Sequence, residues 1–196
     1  MKITPLASEI NLYAEQAPRS EGTHISDIYN SLYRTLDPRR YRDTPLDYTR
    51  MALGTAWEQY LERQLIAQGI NADRPGELWS PDNFYYSPDL FMLTPQFRIG
   101  EIKLTTMESR DWPREKTKIP SNGLPSKFDK WLCQLMAYCS AVETPFATLF
   151  PYFMNGQGKK TQNKPEFLPI ELEFSAREMR DNRAALLQHG RSKGLL

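Results

Sequence analysis

The sequence predicts a layered α/β or α+β domain. Segments with a helical pattern and strand-like runs follow one another in the order helices, hairpin, helix, hairpin, helix, an order typical of helices packed on a sheet. The chain has 196 residues, of which 40% are hydrophobic. This length suits one domain whose core needs neither disulfides nor a structural metal. We therefore expect residues 1–196 to form a single domain.

Two helices are predicted before the first hairpin. Residues 24–36 carry apolar side chains at helical spacing, and the pattern stops at Asp37 and Pro38. A longer helix is predicted at about 46–68, where Pro45 suits its beginning and Gly69 its end. The expected apolar face of this second helix consists of Leu53, Ala56, Trp57, Tyr60, Leu61 and Leu65.

A hairpin is predicted in the middle of the chain. A loop rich in proline, glycine, aspartate and asparagine covers 71–83, and two strand-like runs follow at 83–93 and 97–106. The turn between these runs is expected around Thr94 and Pro95.

The second half of the chain is predicted to add a helix, two strands and a last helix. A polar, basic and proline-bearing loop covers 107–127, and a helix follows at about 128–142. Strands are expected at 147–154 and 167–174, and a charged helix at about 176–189. The core stripe of the helix at 128–142 should consist of Phe128, Trp131, Leu132, Leu135, Cys139 and Val142.

Charge excludes one class of function and leaves another open. The net charge of +1 argues against a histone-like protein that binds nucleic acid through bulk electrostatics alone. Local basic clusters occur nevertheless, and each taken singly is ordinarily a solvated loop. The candidates for binding phosphates in these clusters are Arg39, Arg40, Arg42, Arg114, Lys116, Lys118, Lys127, Lys130, Lys159 and Lys160.

Several familiar sites cannot be built from this chain. Cys133 and Cys139 form no CxxC pair, which excludes a zinc ribbon or a four-cysteine cluster, and we expect both to pack in or beside the core. His24 and His189 cannot form HExxH, and no GxSxG, P-loop or GxGxxG pattern occurs. Without a signal-peptide pattern or a long apolar run, the protein is expected in the cytoplasm, away from membranes.

The predicted strand at 97–106 carries an informative pair of charges. Side chains alternate along a strand, so Glu101 and Lys103 share a face of a segment that is apolar enough to be central. Burying both charges is costly unless they are paired or serve a site. Asp89 lies in the preceding run, and strand pairing can bring it beside Glu101. Taken singly, Asp89 could be a turn residue, and the other two an ion pair on an edge strand.

This set of residues suits phosphodiester hydrolysis. Mg²⁺ prefers oxygen ligands at about 2.0–2.1 Å and keeps several waters. The cation lowers the pKa of a bound water and neutralises charge on the phosphate. A nearby lysine can orient or deprotonate the attacking water, or stabilise the developing charge. The residues therefore indicate a site suited to phosphodiester hydrolysis assisted by Mg²⁺.

Three motifs resemble those of the PD-(D/E)XK nuclease superfamily. Pro88-Asp89 and Glu101-Ile102-Lys103 are similar to its signature, Gln134 and Tyr138 resemble the QxxxY motif of the RecB-like branch, and Gly54 and Glu58 resemble the upstream GxxxE motif of phage recombination exonucleases. The resemblance covers roughly residues 50–155. Their combination, in this order, favours the family far more than any one motif.

The resemblance implies a fold and a division of the chain. The fold would be a restriction-endonuclease-like core, with a central mixed β-sheet of about four to five strands flanked by helices. Residues 46–175 would form the catalytic core. An N-terminal helical extension at 1–45 would precede this core, and a C-terminal helix at 176–196 would follow it.

The resemblance also implies roles for site residues. Asp89, Glu101 and the Ile102 carbonyl would bind Mg²⁺ or Mn²⁺, Glu58 would assist a metal or a water, and Lys103 would position the nucleophile. Gln134 and Tyr138 would maintain the site or contact the DNA backbone. Tyr138 could equally be a tyrosine at the edge of the core with its hydroxyl in water.

Helical geometry bears on Glu58 separately from the resemblance. It places Glu58 and Gly54 at the edge of the apolar face of the second helix, and Glu62 further toward solvent. The missing side chain of Gly54 would permit a close approach there. A solvated glutamate is an equal alternative for Glu58.

The leading hypothesis is a RecB-like exonuclease that acts on linear double-stranded DNA. The alternatives are a structure-specific endonuclease or nickase, a non-catalytic DNA-binding module on a nuclease fold, and an RNA-directed nuclease. A role in CRISPR adaptation is disfavoured because the four-cysteine cluster of that family is missing. The expected partners are DNA, further copies of the chain, and a recombination or replication protein.

Overall fold

A mixed β-sheet between layers of helices forms the centre of the molecule. The computed structural model describes residues 19–41, 48–109, 127–154 and 164–196, apart from the side chains of Arg50 and Lys127. The helices in these ranges are α1 (Ile25–Leu36), α2 (Tyr48–Ala67), α3 (Lys127–Ala141) and α4 (Ala176–Ser192). The strands are β1 (Ala72–Asp73), β2 (Leu78–Ser80), β3 (Phe84–Tyr86), β4 (Leu90–Met92), β5 (Arg98–Thr105), β6 (Phe146–Phe153), β7 (Glu166–Phe167) and β8 (Ile170–Glu173).

The strand order confirms the predicted fold class. The main sheet runs β1-β4-β5-β6-β7, and β8 also pairs with β6. β4 and β5 are antiparallel, as the predicted hairpin requires, whereas β5 and β6 are parallel with α3 in their connection. Over the described ranges the sheet has six strands instead of the expected four to five. The difference arises from β1 and β7, which have two residues each.

The two faces of β5 belong to different cores. Ile99 packs in a core formed with α1, α3 and α4. Ile102, on the opposite face, packs against Leu61 and Leu65 of α2. Glu101 shares the face of Ile99 because side chains alternate along the strand. Its carboxylate is therefore directed toward α3, and α2 lies on the other side of the sheet.

Two predicted strands are each divided by a proline. The run at 83–93 is split at 87–89, so that β3 pairs with β2 in a separate sheet and β4 pairs with β1 and β5. The run at 167–174 is similarly split between β7 and β8. Pro88 and Pro169 lack an N–H group and cannot donate to a ladder. The loop predicted at 71–83 was also wrong in part, because it contains β1 and β2.

The predicted apolar face of α2 is only half correct. Leu61 and Leu65 are buried, but Leu53 and Tyr60 are 52% and 54% exposed. Ala56 is exposed as well, and Trp57 is half-buried. Its indole ring contacts Tyr152 and Phe167, with ring centroids 4.6 and 5.7 Å apart. In the described residues, α2 therefore packs on the sheet mainly through its C-terminal half.

Other expectations for the helices agree with the structure. α1 ends at Leu36, as the pattern before Pro38 predicted, and α4 extends three residues beyond the predicted end to Ser192. Cys133 and Cys139 are buried free thiols. Among the described residues, no helix is both long and apolar enough to span a bilayer.

Candidate active site

Asp89 is hydrogen-bonded to the strand that carries Glu101 and Lys103. It lies at the bend directly before β4, and β4 pairs with β5 so that Leu90 is opposite Gly100. Asp89 therefore lies opposite Glu101, as the hairpin predicted. Its Oδ2 accepts a hydrogen bond of 2.7 Å from the backbone N–H of Ile102. The break at Pro88 thus places a carboxylate at the end of a short strand, against the centre of the sheet.

Glu101 is a buried carboxylate on a central strand. Only 1% of the residue is exposed, and β5 lies between β4 and β6. The alternative was an ion pair on an edge strand. Lys103 Nζ does contact Glu101 Oε1, but the strand is central and not at an edge. The same oxygen accepts a hydrogen bond of 2.7 Å from Gln134 Nε2. Glu101 Oε2 is buried and has no hydrogen-bond partner among the described residues.

α3 contributes an amide and a phenol to this cluster. Gln134 Oε1 accepts a hydrogen bond of 3.2 Å from Lys103 Nζ, and Gln134 Nε2 also donates to the Tyr138 hydroxyl at 3.0 Å. Gln134 is 7% exposed and Tyr138 is 3% exposed. The alternative that the Tyr138 hydroxyl lies in water is therefore wrong. The spacing of four residues places both side chains on one side of the helix.

Glu58 approaches the site from α2 and binds an arginine. Its Oε2 is 2.8 Å from Arg74 Nη2, and Arg74 Nε is 3.1 Å from Glu62 Oε2. The expectation that Glu62 lies further toward solvent is wrong, because its side chain is 24% exposed and that of Glu58 is 30% exposed. Arg74 thus lies between the two carboxylates and contacts one oxygen of each. A Cβ added to Gly54 would meet nothing within 4 Å in the described structure, so no close approach occurs there.

The carboxylates of the site oppose one another's ionisation. Burial raises the pKa of Glu101 to about 8, and the charge of Asp89 adds to that effect. Burial also raises the pKa of Asp89 and of Glu58, where Asp89 contributes again. Burial lowers the pKa of Lys103, but the charges of Glu101 and Asp89 outweigh it, so the pKa is raised. Burial and mutual repulsion thus both disfavour ionisation of these carboxyl groups, and a bound cation would relieve both effects.

The oxygens of this site fit a hard divalent cation. The unpartnered Oε2 of Glu101 and the carboxylate of Asp89, of which only Oδ2 is bonded to Ile102, are of the ligand type that Mg²⁺ and Mn²⁺ prefer. Glu58 is less well placed. Within the described ranges, no three His, Cys, Asp or Glu side chains converge as a metal-binding group. The structure therefore brings together Asp89 and Glu101, and Glu58 lies close enough to interact electrostatically with both without completing a group of three.

A cleft of about 560 Å³ opens beside Lys103 and Gln134. Two of the predicted phosphate-binding residues, Arg40 and Lys130, line it together with Tyr29, Tyr41 and Trp131. The Lys130 ammonium lies 5.6 and 5.1 Å from the ring centroids of Tyr29 and Tyr41. The cleft thus combines positive charge with aromatic side chains. The structure brings Lys130 and Arg40 to the site although they are far apart in sequence.

The other predicted basic residues are not in this cleft. Arg39 is exposed and does not line it. The side chain of Lys127 is not described, and six basic candidates fall outside the described residues, namely Arg42, Arg114, Lys116, Lys118, Lys159 and Lys160.

Sequence reasoning missed Arg74 and Tyr29. Arg74 was assigned to a loop because the two-residue β1 before it has too few residues for an alternating pattern. Tyr29 falls within the predicted helix at 24–36, and it is buried in the structure. A tyrosine that only packs in the core and one that also borders a cleft have the same helical spacing, so the sequence does not distinguish them.

Comparisons with known proteins identify a shared fold. No family model matches the sequence, and no curated protein matches it. An alkaline exonuclease from Laribacter hongkongensis superposes with a TM-score of 0.51 at 13% identity, covering 87% of each chain. A phage-related exonuclease from Haemophilus somnus 129PT has a TM-score of 0.52 at 10% identity, covering 85% of this chain and 79% of the other. This chain therefore has a mixed α/β fold similar to that of these two exonucleases.

Proposed function

We propose that this protein is a divalent-metal-dependent deoxyribonuclease of the PD-(D/E)XK type, and that it acts as an exonuclease on linear double-stranded DNA. One observation carries the proposal. Glu101 is a fully buried carboxylate on a central strand, with one oxygen bonded to Lys103 and Gln134 and the other without a partner among the described residues. An unsatisfied buried carboxylate is costly, and a cation-binding role accounts for it.

The chain offers a set of oxygen ligands for Mg²⁺ or Mn²⁺. Asp89, Glu101 and the carbonyl of Ile102 would bind the cation, and Glu58 would assist it or a coordinated water. When bound, the cation would lower the pKa of a water molecule and neutralise negative charge on the phosphate. The bond from Ile102 N–H to Asp89 Oδ2 keeps that carboxylate beside β5.

Lys103 would act as a cation and hydrogen-bond donor. Its raised pKa keeps the ammonium protonated at neutral pH, which supports orienting the attacking water or stabilising charge on the phosphate over removing a proton. Gln134 binds Glu101 and Lys103 at the same time. It therefore fixes the distance between the carboxylate and the ammonium, and Tyr138 fixes the orientation of the Gln134 amide.

The substrate would approach from the side of the cleft. Arg40 and Lys130 line a cavity that opens onto Lys103, and cations of this kind bind phosphate oxygens without reading sequence. Aromatic side chains beside them suit unpaired nucleotides at a strand end. The fold shared with two exonucleases supports digestion from an end.

Digestion of linear and circular DNA tests the proposal. End-labelled linear duplex and covalently closed circular duplex would be incubated with wild type, Asp89→Asn and Asp181→Asn, in Mg²⁺ or Mn²⁺ and with EDTA. Asparagine keeps the shape of Asp89 and can still accept the N–H of Ile102. Asp181 is a control because its side chain lies on α4 and is 70% exposed. We expect wild type and Asp181→Asn to digest linear DNA alone, and EDTA and Asp89→Asn to abolish digestion.

Other outcomes would replace the proposal by a specific alternative. Cleavage of the circle would make the protein an endonuclease or nickase with the same site. Binding of DNA without cleavage of either substrate would make it a non-catalytic module on this fold. Faster digestion of matched RNA would reassign the substrate.

A further inference from the structure

Arg74 lies at the edge of the candidate active site although no motif includes it. β1 pairs with β4 so that Ala72 is opposite Met92 and Asp73 is opposite Phe91. Arg74 follows this ladder directly, at the end where β4 begins and Asp89 lies. A two-residue edge strand thus delivers an arginine to the side of the metal-binding carboxylates.

The guanidinium of Arg74 bridges two carboxylates of α2. Nη2 is 2.8 Å from Glu58 Oε2, and Nε is 3.1 Å from Glu62 Oε2. Glu58 and Glu62 are one helical turn apart, where like charges repel each other. Only the contact with Glu58 is a hydrogen bond; Arg74 Nε forms none among the described residues, so Glu62 interacts with the guanidinium by charge. Arg74 therefore ties Glu58 to a second, neighbouring carboxylate.

We propose that Arg74 is a positioning residue that keeps the Glu58 carboxylate directed at the metal-binding site, with Glu62 as its second partner. This inference rests on the metal site of the proposed function. Loss of a partner that orients a metal ligand typically costs about 10- to 100-fold in metal affinity or activity. Glu58 would need such a partner because its helix packs on the opposite face of the sheet from Glu101.

Two observations favour positioning over a purely structural ion pair. The side chains of Arg74, Glu58 and Glu62 are 34%, 30% and 24% exposed, and ion pairs with this exposure contribute little to stability. In addition, Arg74 directly follows Asp73, which is opposite Phe91, so Arg74 lies beside the start of β4 and next to Asp89. Arg74 is thus within electrostatic reach of the site itself.

Binding of Mn²⁺ in the absence of DNA tests this inference. Isothermal titration of the metal-free protein would compare wild type with Glu58→Gln, Arg74→Gln and the double variant. We expect Arg74→Gln to weaken Mn²⁺ binding by about 10-fold. The double variant should bind no more weakly than Glu58→Gln alone, because Arg74 acts through Glu58. Arg74→Lys keeps the positive charge but not the planar guanidinium group. Its affinity for Mn²⁺ should therefore lie between that of Arg74→Gln and that of wild type.

Arg183 supplies a matched control. Its Nε and Nη2 bind Asp82 at 2.7 and 2.6 Å, away from the site. Arg183→Gln should leave Mn²⁺ affinity unchanged, which separates positioning from general loss of an ion pair. If Arg74→Gln proves unstable, Glu62→Gln removes only the second partner and should weaken binding by a smaller factor.

Three results with the variants would overturn the inference and leave the proposed metal site in place. Unchanged Mn²⁺ affinity in both Arg74→Gln and Glu62→Gln would leave Arg74 as a surface ion pair. Tighter binding in Arg74→Gln would make Arg74 a competitor for Glu58. Additive losses in the double variant would mean that Arg74 does not act through Glu58. Failure of wild type to bind Mn²⁺ at all would refute the proposed metal site as well, so the two failures are distinguishable.

Discussion

Gln134 donates a hydrogen bond of 2.7 Å to Glu101 across the interface between α3 and β5. This bond joins the helix and the strand that contribute most of the candidate site. Because Gln134 also accepts from Lys103, one amide connects the carboxylate and the ammonium. Gln134 therefore supplies hydrogen-bond partners to the buried Glu101 carboxylate and the half-buried Lys103 ammonium, which share a face of the sheet.

Gln134→Ala should lower both activity and stability. The change leaves Glu101 and Lys103 with one partner fewer, and loss of a buried hydrogen bond to a charged group costs about 1–3 kcal/mol. Loss of a residue that orients a metal ligand should reduce kcat about 10- to 100-fold. Single-turnover digestion and thermal unfolding measure the two effects. Tyr138→Phe removes one neutral bond to Gln134 and should cost about 1 kcal/mol, with a smaller fall in kcat. Equal kcat for wild type and Gln134→Ala would contradict the role.

Lys103→Gln should abolish most of the activity and retain metal binding. Removing a donor that stabilises charge in a transition state typically lowers kcat by about 10²- to 10³-fold. Mn²⁺ should bind at least as tightly as in wild type, because a neighbouring positive charge is removed. Digestion rates and calorimetry of the same preparation check both statements. Weaker Mn²⁺ binding in Lys103→Gln would show that the lysine organises the carboxylates instead.

The stability of the metal-free protein should depend on the ionisation of Glu101. Its pKa is raised from 4.5 to about 8 by burial and by Asp89. Because the carboxyl pKa is higher in the folded protein than in the unfolded chain, protonation of Glu101 stabilises the folded state. This stabilisation is complete below about pH 4.5 and is lost as the pH rises toward 8. The charge on Lys103 does not change in this window, since its pKa is raised above 10.5.

Thermal unfolding in EDTA between pH 5 and pH 8 checks this dependence. Glu101→Gln cannot ionise, so its melting temperature should rise relative to wild type as the pH increases. Each 1 kcal/mol corresponds to about 2–4 °C for a chain of this size. Adding Mn²⁺ should raise the melting temperature of wild type more than that of Glu101→Gln. A difference between the two proteins that stays constant from pH 5 to pH 8 would contradict the raised pKa.

Gly100 and Gly54 should respond oppositely to alanine. A Cβ on Gly100 would lie 2.9 Å from the Cβ of Leu90 and 3.3 Å from the Phe150 ring, so β4 would have to move and Asp89 with it. We expect Gly100→Ala to cost about 1–3 kcal/mol and to lower kcat. Gly54 is in α2 with nothing within 4 Å of an added Cβ among the described residues. Gly54→Ala should therefore stabilise the protein by about 0.5–1 kcal/mol.

Chemical denaturation and the linear-DNA assay measure both glycine variants. Gly54→Ala also tests the upstream motif. If this variant is more stable but inactive, the small side chain at position 54 is needed by bound DNA and not by the fold. A stable and active Gly100→Ala would show that the approach of β4 to β5 is not what positions Asp89.

Most of the site was predictable because it lies on one strand and one helix. Alternation along β5 places Glu101 and Lys103 on the same face, and a separation of four residues places Gln134 and Tyr138 on one side of α3. Both are local consequences of backbone geometry. The hairpin prediction similarly brought Asp89 opposite Glu101, since antiparallel pairing follows from a short connection. These residues stand together in the structure.

Contacts between segments far apart in sequence were decided only by the tertiary structure. α2 is buried only where the sheet covers it. The periodic apolar face therefore predicted more buried residues in this helix than the structure has. The pairing of Arg74 with Glu58 and Glu62 depends on a two-residue strand, and the cleft beside Lys103 depends on α1 meeting α3. The sequence by itself determined which residues share a face, because periodicity is local. Only the tertiary structure decided which faces meet, because packing and strand order are set by long-range contacts.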